Sequence, residues 1–467
     1  MAPSLLPVLN STTSFWRSSL HEIDDHSSTP DLPSEVDIVI IGAGYAGAST
    51  VHHILEICKE QNLPIPSIAI LEARQACSGA TGRNGGHLKP DPYNRPVTIA
   101  GNHGIEAAAE CAEFEAQHIP AMKKLIEDEA IDCEFVLTRC MDVLLTDDIY
   151  DKMKSGVDFL RKHDISVMKD VWFASGAQAE QISGVKGAKA CFSYTAGHLY
   201  PYKLITHLLA NAVRAGVNLQ THTPVSSVSP TADKDGFFTV STKTRGSLRA
   251  QKVVYATNAY TSALLPEFTS KIVPVRGICS HIAVPATSKK PAPTLQTSYI
   301  LRWGNYEYEY LIPRLDGSIV VGGGRSRYYH DKASWYDNVN DDKLIEAAKP
   351  HFDGYMQRVF HGWEDSGAEA TNVWTGIMGY SSDGLPHVGT VPGRQNQFII
   401  AGFTGHGMPQ VFLSSKGIAK MVVSGASFKS TGIPRVYQAS KARLDSTRNV
   451  ILEGWEESQK GPPSPKL

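Results

Sequence analysis

The chain has 467 residues, of which 42% are hydrophobic, 9% aromatic and 20% charged. These are the proportions of an ordinary globular protein and exclude a disordered, collagen-like or coiled-coil chain. Its 45 Lys and Arg against 47 Asp and Glu give a net charge of −2 with no stretch rich in basic residues, so the electrostatic footprint of a nucleic-acid binder is missing.

Residues 1–34 are rich in Ser, Thr and Pro and are expected to form an irregular arm lying on the surface. At Val36 the texture changes: residues 36–41 (VDIVII) are a β-branched run typical of a parallel strand buried on both faces. Gly42-Ala43-Gly44-Tyr45-Ala46-Gly47 follows at once, then a helical pattern ending before Pro64, then a second strand at residues 67–72. Residues 105–128 are amphipathic and are expected as two helices broken near Pro120, because proline cannot donate to the helix ladder. A further helix is expected over residues 204–215, strands at 237–242, 251–256 and 318–322, and a strand at 398–401 leading through a Gly-rich turn into a helix from 411 to 423. Between residues 266 and 329 strand-like runs with turns replace the strand–helix alternation.

The expected fold class is α/β: a Rossmann-like doubly wound domain assembled from discontinuous segments, plus an α+β substrate domain with a mainly antiparallel sheet. The segments assigned to the first are 35–130, 191–265 and 366–440, to the second 131–190 and 266–365, with residues 441–467 a tail.

A lone G-x-G-x-x-G is a weak signal, but here a strand precedes it, a helix follows it, and an acid, Glu72, ends the next strand 25 residues after Gly47. Gly42 permits the tight turn, Gly44 leaves room for a pyrophosphate, and Gly47 lets helix and strand approach. The helix N-terminus offers free amides to phosphate, and a carboxylate at Glu72, with Ala73 and Arg74 beside it, suits ribose hydroxyls. The alternative is a Gly-rich turn in some other α/β protein. The next segment, Ser78-Gly79-Ala80-Thr81-Gly82-Arg83-Asn84-Gly85-Gly86-His87-Leu88, has no role in a simple nicotinamide-binding unit. Its small residues and donor-rich Arg-Asn pair suit close passage along a large planar cofactor, or else a flexible surface loop.

These pieces, followed in order by GHLYPYKL, VVYATNAYT, PVRG, DGSIVVGGG, SSDGLPHVG and AGFTGHGMP, resemble the superfamily of D-amino-acid, glycine and sarcosine oxidases. The likeness extends over about residues 35–425, in particular to its γ-glutamylputrescine-oxidase-like branch and fungal relatives. The resemblance implies FAD along the turn Gly42–Gly47 with its ribose on Glu72, and the run from Gly79, Ala80 and Thr81 through Arg83, Asn84, Gly85, Gly86 and His87 to Leu88 beside the flavin. It places Val225 at the adenine, Ala256-Thr257-Asn258 over the pyrophosphate, and Gly405-His406-Gly407-Met408 at the pyrimidine end of the ring. Two departures matter. Relatives with covalent flavin carry a cysteine where this chain has Met378, so the FAD is expected to be non-covalent. Sarcosine-oxidase-like relatives carry a lysine at the position of Pro409, where it meets the substrate carboxylate and oxygen.

The implied reaction is hydride loss from a carbon next to nitrogen in an amine or amino acid, with molecular oxygen as acceptor and imine and hydrogen peroxide as products. Candidates for substrate contact are His406, Arg276, Arg302, Trp303, Tyr308 and Tyr310. For His406 the alternative is a structural loop histidine, for Arg276 a structural ion pair, and for the tyrosines core packing. Competing readings are a flavin dehydrogenase that avoids oxygen, including a secondary-metabolite tailoring enzyme, and a non-catalytic FAD-binding protein. No histidine spacing suggests a metal.

Neither nucleic acid nor membrane is an expected partner: the longest apolar runs, 36–43 and 418–423, fall far short of the ~18 residues of a spanning helix. Residues 1–10 carry no positive charge ahead of their apolar stretch, unlike a secretory signal. The cysteines (Cys58, Cys77, Cys111, Cys133, Cys140, Cys191 and Cys279) number seven with no C-x-x-C pair, the pattern of reduced intracellular thiols. The expected location is the cytoplasm, with the peroxisome an alternative because Pro465-Lys466-Leu467 is one residue from the Ser-Lys-Leu address.

Overall fold

Two sheets face one cavity. The computed structural model describes residues 5–288 and 290–460; the C-terminal Pro465-Lys466-Leu467 lies outside the described residues. The first sheet has eight strands, in the order His387–Thr390, Gln397–Ala401, Ser247–Tyr255, Glu35–Ile41, Ile68–Leu71, Asn218–Gln220, and Phe238–Thr242 and Val225–Val228 branch from it. Its inner strands are parallel. The strand Glu35–Ile41 sits between two neighbours with Val39 and Ile40 fully buried, which is why its sequence runs apolar instead of alternating. The helix Tyr45–Glu60 crosses to Ile68–Leu71, as expected, and packs against the late helix Val411–Ser424.

The second sheet has nine strands, in the order Glu369–Ser381, Ile272–Ala283, Ile319–Gly322, Tyr308–Pro313, Ser298–Arg302, Val136–Leu144, Ala190–His198, His87–Leu88, with Trp172–Ser175 beside Ala190–His198. Apart from the parallel pair of Ser298–Arg302 with Val136–Leu144, its pairings are antiparallel. Strands Ala190–His198 and Glu369–Ser381, assigned from sequence to the dinucleotide unit, pair in this second sheet instead.

Two other expectations are corrected. Ile105–Asp128 is one helix of 24 residues with Pro120 inside it. Pro120 lies on the exposed side, where the carbonyl that its missing N–H leaves free is open to solvent and the helix tolerates the proline. The N-terminal arm is largely irregular and runs over the surface with Leu9 and Leu20 exposed, but it is anchored in the interior at four points: Ser14, Trp16, Ile23 and Asp24 are each at most 3% exposed. Trp16 donates its indole N–H to the Asn84 carbonyl, and Thr12 bonds the backbone of both Asp341 and Thr375.

Candidate functional site

The glycines of the first turn are there for space. Gly42 has φ +112°, and a Cβ on it would stand 2.6 Å from the Ala256 carbonyl oxygen. A Cβ on Gly47 would stand 2.0 Å from the Gly42 oxygen, so helix and strand touch at that point. Gly44 faces the cavity, where an added Cβ would meet only the Thr81 hydroxyl, at 3.0 Å. Glu72 ties the turn together: its Oε2 accepts from Ala43 N at 2.8 Å and its Oε1 from Arg74 N at 3.0 Å. Thr81 Oγ1 accepts from Tyr45 N at 2.9 Å, which pins the 79–84 segment to the start of the helix.

From this turn a cavity runs to the second sheet. Of the expected cofactor residues, it is lined by Gly42, Gly44, Tyr45, Ala46, Glu72, Ala73, Arg74, Gly79, Ala80, Thr81, Arg83, Asn84, Val225, Ala256, Thr257, Asn258, Gly405, Gly407 and Met408. Seven expected residues, His406, Ala43, Gly47, Gly85, Gly86, His87 and Leu88, do not reach it. The last four turn down onto the second sheet: Gly85 is covered by the Tyr310 ring, 2.2 Å from where a Cβ would be, and Leu88 is fully buried. His87 bonds Ser298 Oγ at 2.7 Å, and burial holds its imidazole well below the ordinary range, hence neutral.

The two arginines of this region serve the fold as well as the cavity. Arg74 makes a bidentate pair with Asp341 at 2.9 and 3.0 Å and donates to the Val8 carbonyl. Arg83 donates to Ser78 O at 2.9 Å, to Thr375 O at 2.7 Å, and to Ser11 and Thr12 of the arm. Burial lowers Arg83 to about 10, with Asp341 opposing the shift. The arm residues Leu6 and Pro7 line the cavity as a result.

Among the substrate candidates, Tyr308 and Tyr310 line the cavity and the other four do not. Arg302 is locked in a buried bidentate pair with Asp142 at 2.8 and 2.9 Å, itself bonded by Tyr93 OH at 2.6 Å. Trp303 packs on the core of the second sheet. Arg276 donates to the Ser334 and Lys343 carbonyls and faces a separate small pocket. His406 turns from the cavity to Glu115, 2.8 Å away. Asp383 accepts from Leu385 N at 3.1 Å, which caps the turn before Leu385, and pairs with Arg443.

The second-sheet end of the cavity contains residues that sequence reasoning missed: Ile278, Arg325, Tyr328 and Tyr380, alongside Met378. The run Gly322-Gly323-Gly324 ahead of Arg325 was the available signal, since Gly323 has φ +145° and its Cβ would strike the Glu309 side chain at 2.5 Å. Burial pushes the Tyr310, Tyr328 and Tyr380 phenols up, Tyr328 to about 12, so these hydroxyls stay neutral donors. The donor set fits FAD. Its glycine cradle leaves room for phosphates, a carboxylate borders the same cavity, and an apolar wall suits a ring system. Among the described residues, no group of three or more His, Cys, Asp or Glu gathers as a metal site, and no helix is long and apolar enough to cross a membrane.

The comparisons agree with this geometry. The chain is 21% identical over 397 residues to γ-glutamylputrescine oxidoreductase of Escherichia coli strain K12, spanning 83% of each chain. It is 23% identical over 379 residues to glycine oxidase of Geobacillus kaustophilus strain HTA426, spanning 80% of this chain and 89% of that one. The crystal structure of glycine oxidase from Geobacillus kaustophilus superposes with a TM-score of 0.66 at 21% identity, over 85% of this chain and 96% of the other, a likeness of fold. The family model described as FAD dependent oxidoreductase matches residues 37–421: the chain belongs to the FAD-dependent oxidoreductase family and FAD is its cofactor.

Proposed function

We propose that the chain oxidises a C–N bond of a small amine or amino acid, with molecular oxygen as the final acceptor. In each turnover the substrate carbon gives up a hydride and its nitrogen a proton, so amine and oxygen become imine and hydrogen peroxide. Water then hydrolyses the imine to carbonyl and ammonia. One observation carries this reading: a single cavity joins the Gly42–Gly44 turn to a chamber walled by Tyr308, Tyr328 and Tyr380, so a dinucleotide cleft ends in a space for a small substrate. Bound FAD supplies the two-electron acceptor for hydride leaving the carbon next to nitrogen. The backbone of the glycine turn and the Glu72 carboxylate hold the pyrophosphate and ribose ends. The tyrosine wall, with Ile278 and Met378, excludes water and orients the substrate.

Two observations support non-covalent attachment. Met378, whose thioether forms no such bond, lines the cavity, and burial pushes the Cys77 thiol up, away from the reactive thiolate. The seven buried free cysteines suit a reducing compartment, and we assign the protein to the cytoplasm or the peroxisome.

A screen of amines and amino acids for anaerobic bleaching of the bound flavin tests the reading. At least one compound should bleach it, and a flavin that no amine or amino acid reduces would overturn the proposal. A second reading, a dehydrogenase, is favoured by one feature: among the described residues no lysine lines the cavity, and Pro409 stands next to Met408. Stopped-flow reoxidation of the reduced enzyme in air separates the two.

A further inference from the structure

The small pocket that Arg276 faces has a volume of about 250 Å³, room for a small amine or amino acid but not for a dinucleotide. The Arg276 guanidinium is fixed by the Ser334 and Lys343 carbonyls and has no ion pair with an Asp or Glu among the described residues. His330, Asp331, Glu346 and Ala347 line the same pocket and are exposed, so its mouth carries both signs of charge. A mouth of this kind attracts charged solutes from water, with Arg276 a fixed cation inside. Tyr328 lines both this pocket and the chamber of the main cavity, and it is the one described residue that does.

Tyr328 is 4% exposed, and both Arg325 on the chamber side and Arg276 on the pocket side act electrostatically on its phenol. Among the described residues its hydroxyl has no hydrogen-bond partner, whereas that of Tyr310 contacts Cys279 Sγ at 3.4 Å. A ring held by packing alone breaks no hydrogen bond when it turns aside. The Gly42–Gly44 end of the main cavity is committed to the dinucleotide, and Leu6 and Pro7 of the arm line that cavity too. A chamber beyond the cofactor therefore needs a way in of its own. We propose that the second pocket is the entrance for the substrate and that Tyr328 is the partition between entrance and chamber. A small charged molecule is taken up at the mouth, rests beside Arg276, and passes when the Tyr328 ring swings. The ring then returns and keeps water from the chamber. This rests on the function proposed above, because it takes the chamber as the place where substrate meets the flavin.

A reversible plug tests this on the FAD-loaded enzyme. Ala347→Cys places a thiol at the mouth, and the seven native cysteines are buried, so benzyl methanethiosulfonate labels the new one. The thiolate takes the benzylthio group as a mixed disulfide, methanesulfinate leaves, and dithiothreitol reverses the step. Borohydride, a small hydride donor, is the probe, and anaerobic bleaching of the flavin is the readout. Labelling should slow bleaching at least tenfold, and dithiothreitol should restore the rate. Tyr328→Ala, unlabelled, should bleach at least threefold faster than the unaltered protein. FAD content and melting temperature, measured on each sample, report whether the fold is intact. The entrance is overturned if labelled and unlabelled protein bleach at the same rate, or if borohydride does not bleach the unlabelled flavin at all. The partition is overturned if Tyr328→Ala bleaches no faster. The two proposals fail separately. A flavin reduced by no amine or amino acid rejects the reaction, while the borohydride rates still decide the entrance. Rates indifferent to the plug reject the entrance and leave the reaction standing.

Discussion

The imidazole Nε2 of His406 lies 2.8 Å from Oε2 of Glu115, across 291 residues of chain. Glu115 is almost fully buried and also accepts from Gln410 Nε2 at 2.7 Å and Asp91 N at 2.8 Å. The contact ties the Gly405–Gly407 turn to the long helix Ile105–Asp128 and turns the ring away from the cavity that its two glycine neighbours line. A histidine that looks in sequence like a flavin-facing cation is, in the fold, a hydrogen-bond partner of a buried carboxylate.

His406→Ala should therefore destabilise the protein by about 1.5–3 kcal/mol, the range for a hydrogen bond to a charged group, because Glu115 loses one of its three donors. The flavin reduction potential should stay unchanged. Thermal unfolding and a redox titration of this variant decide the matter, and a lowered potential would return His406 to the catalytic residues.

The same pair makes stability depend on acid. Burial works against the Glu115 carboxylate, but the charge and hydrogen bond of His406 and the charge of Arg95 more than offset it, holding Glu115 below the usual carboxylate range. A depressed folded-state value contributes stability that is present above the unfolded pKa of about 4.3 and is lost as pH falls through the folded value. Glu115→Gln should lose stability at neutral pH and show a flatter acid limb than the unaltered protein. Melting temperatures from neutral pH down through the carboxylate range would reveal parallel curves if the pair contributes nothing.

Gly44→Val and Gly47→Val should fail differently. An added Cβ at Gly44 meets only a side-chain hydroxyl at 3.0 Å, so the chain folds, but the branched side chain occupies the pyrophosphate path and FAD affinity should fall more than about a hundredfold. At Gly47 the Cβ would lie 2.0 Å from a backbone oxygen, and the overpacking should cost about 1–3 kcal/mol of fold stability as well. Visible absorbance and thermal melting of the two variants check this; full flavin occupancy in Gly44→Val would place the pyrophosphate elsewhere.

The arm should act as a clasp on the cofactor. Leu6 and Pro7 line the cavity, and Arg74 and Arg83 hold Val8, Ser11 and Thr12 in place. A chain starting at Ser14 loses several charge-assisted hydrogen bonds worth about 1.5–3 kcal/mol each, and its FAD should dissociate at least about tenfold faster. The recovery of flavin fluorescence on dilution measures the rate, and an unchanged rate would reduce the arm to a packing element.

What could be read from the residues alone was what is local. The strand over Glu35–Ile41, the glycine turn, the helix Tyr45–Glu60 and the acid at Glu72 are legible because a single βαβ unit writes its requirements into contiguous sequence. The order of later motifs carried the family, and with it the cavity-lining positions Val225, Ala256 and Gly405. Strands Ala190–His198 and Glu369–Ser381 gave little signal, since the first is buried on nearly every residue and the second mixes Thr, Asn and Gly with apolar residues, so neither shows a clean period of two. The partners of charged side chains were not legible at all. Arg74 finds Asp341 across 267 residues and Arg83 finds Thr375 across 292, while Arg302 pairs with Asp142 across 160. A charge acts on substrate only if the fold leaves it unneutralised inside a cavity, and long-range packing decides that: it buried Arg302 against Asp142, turned His406 to Glu115, and left Arg325 at the chamber with no ion pair to an Asp or Glu among the described residues.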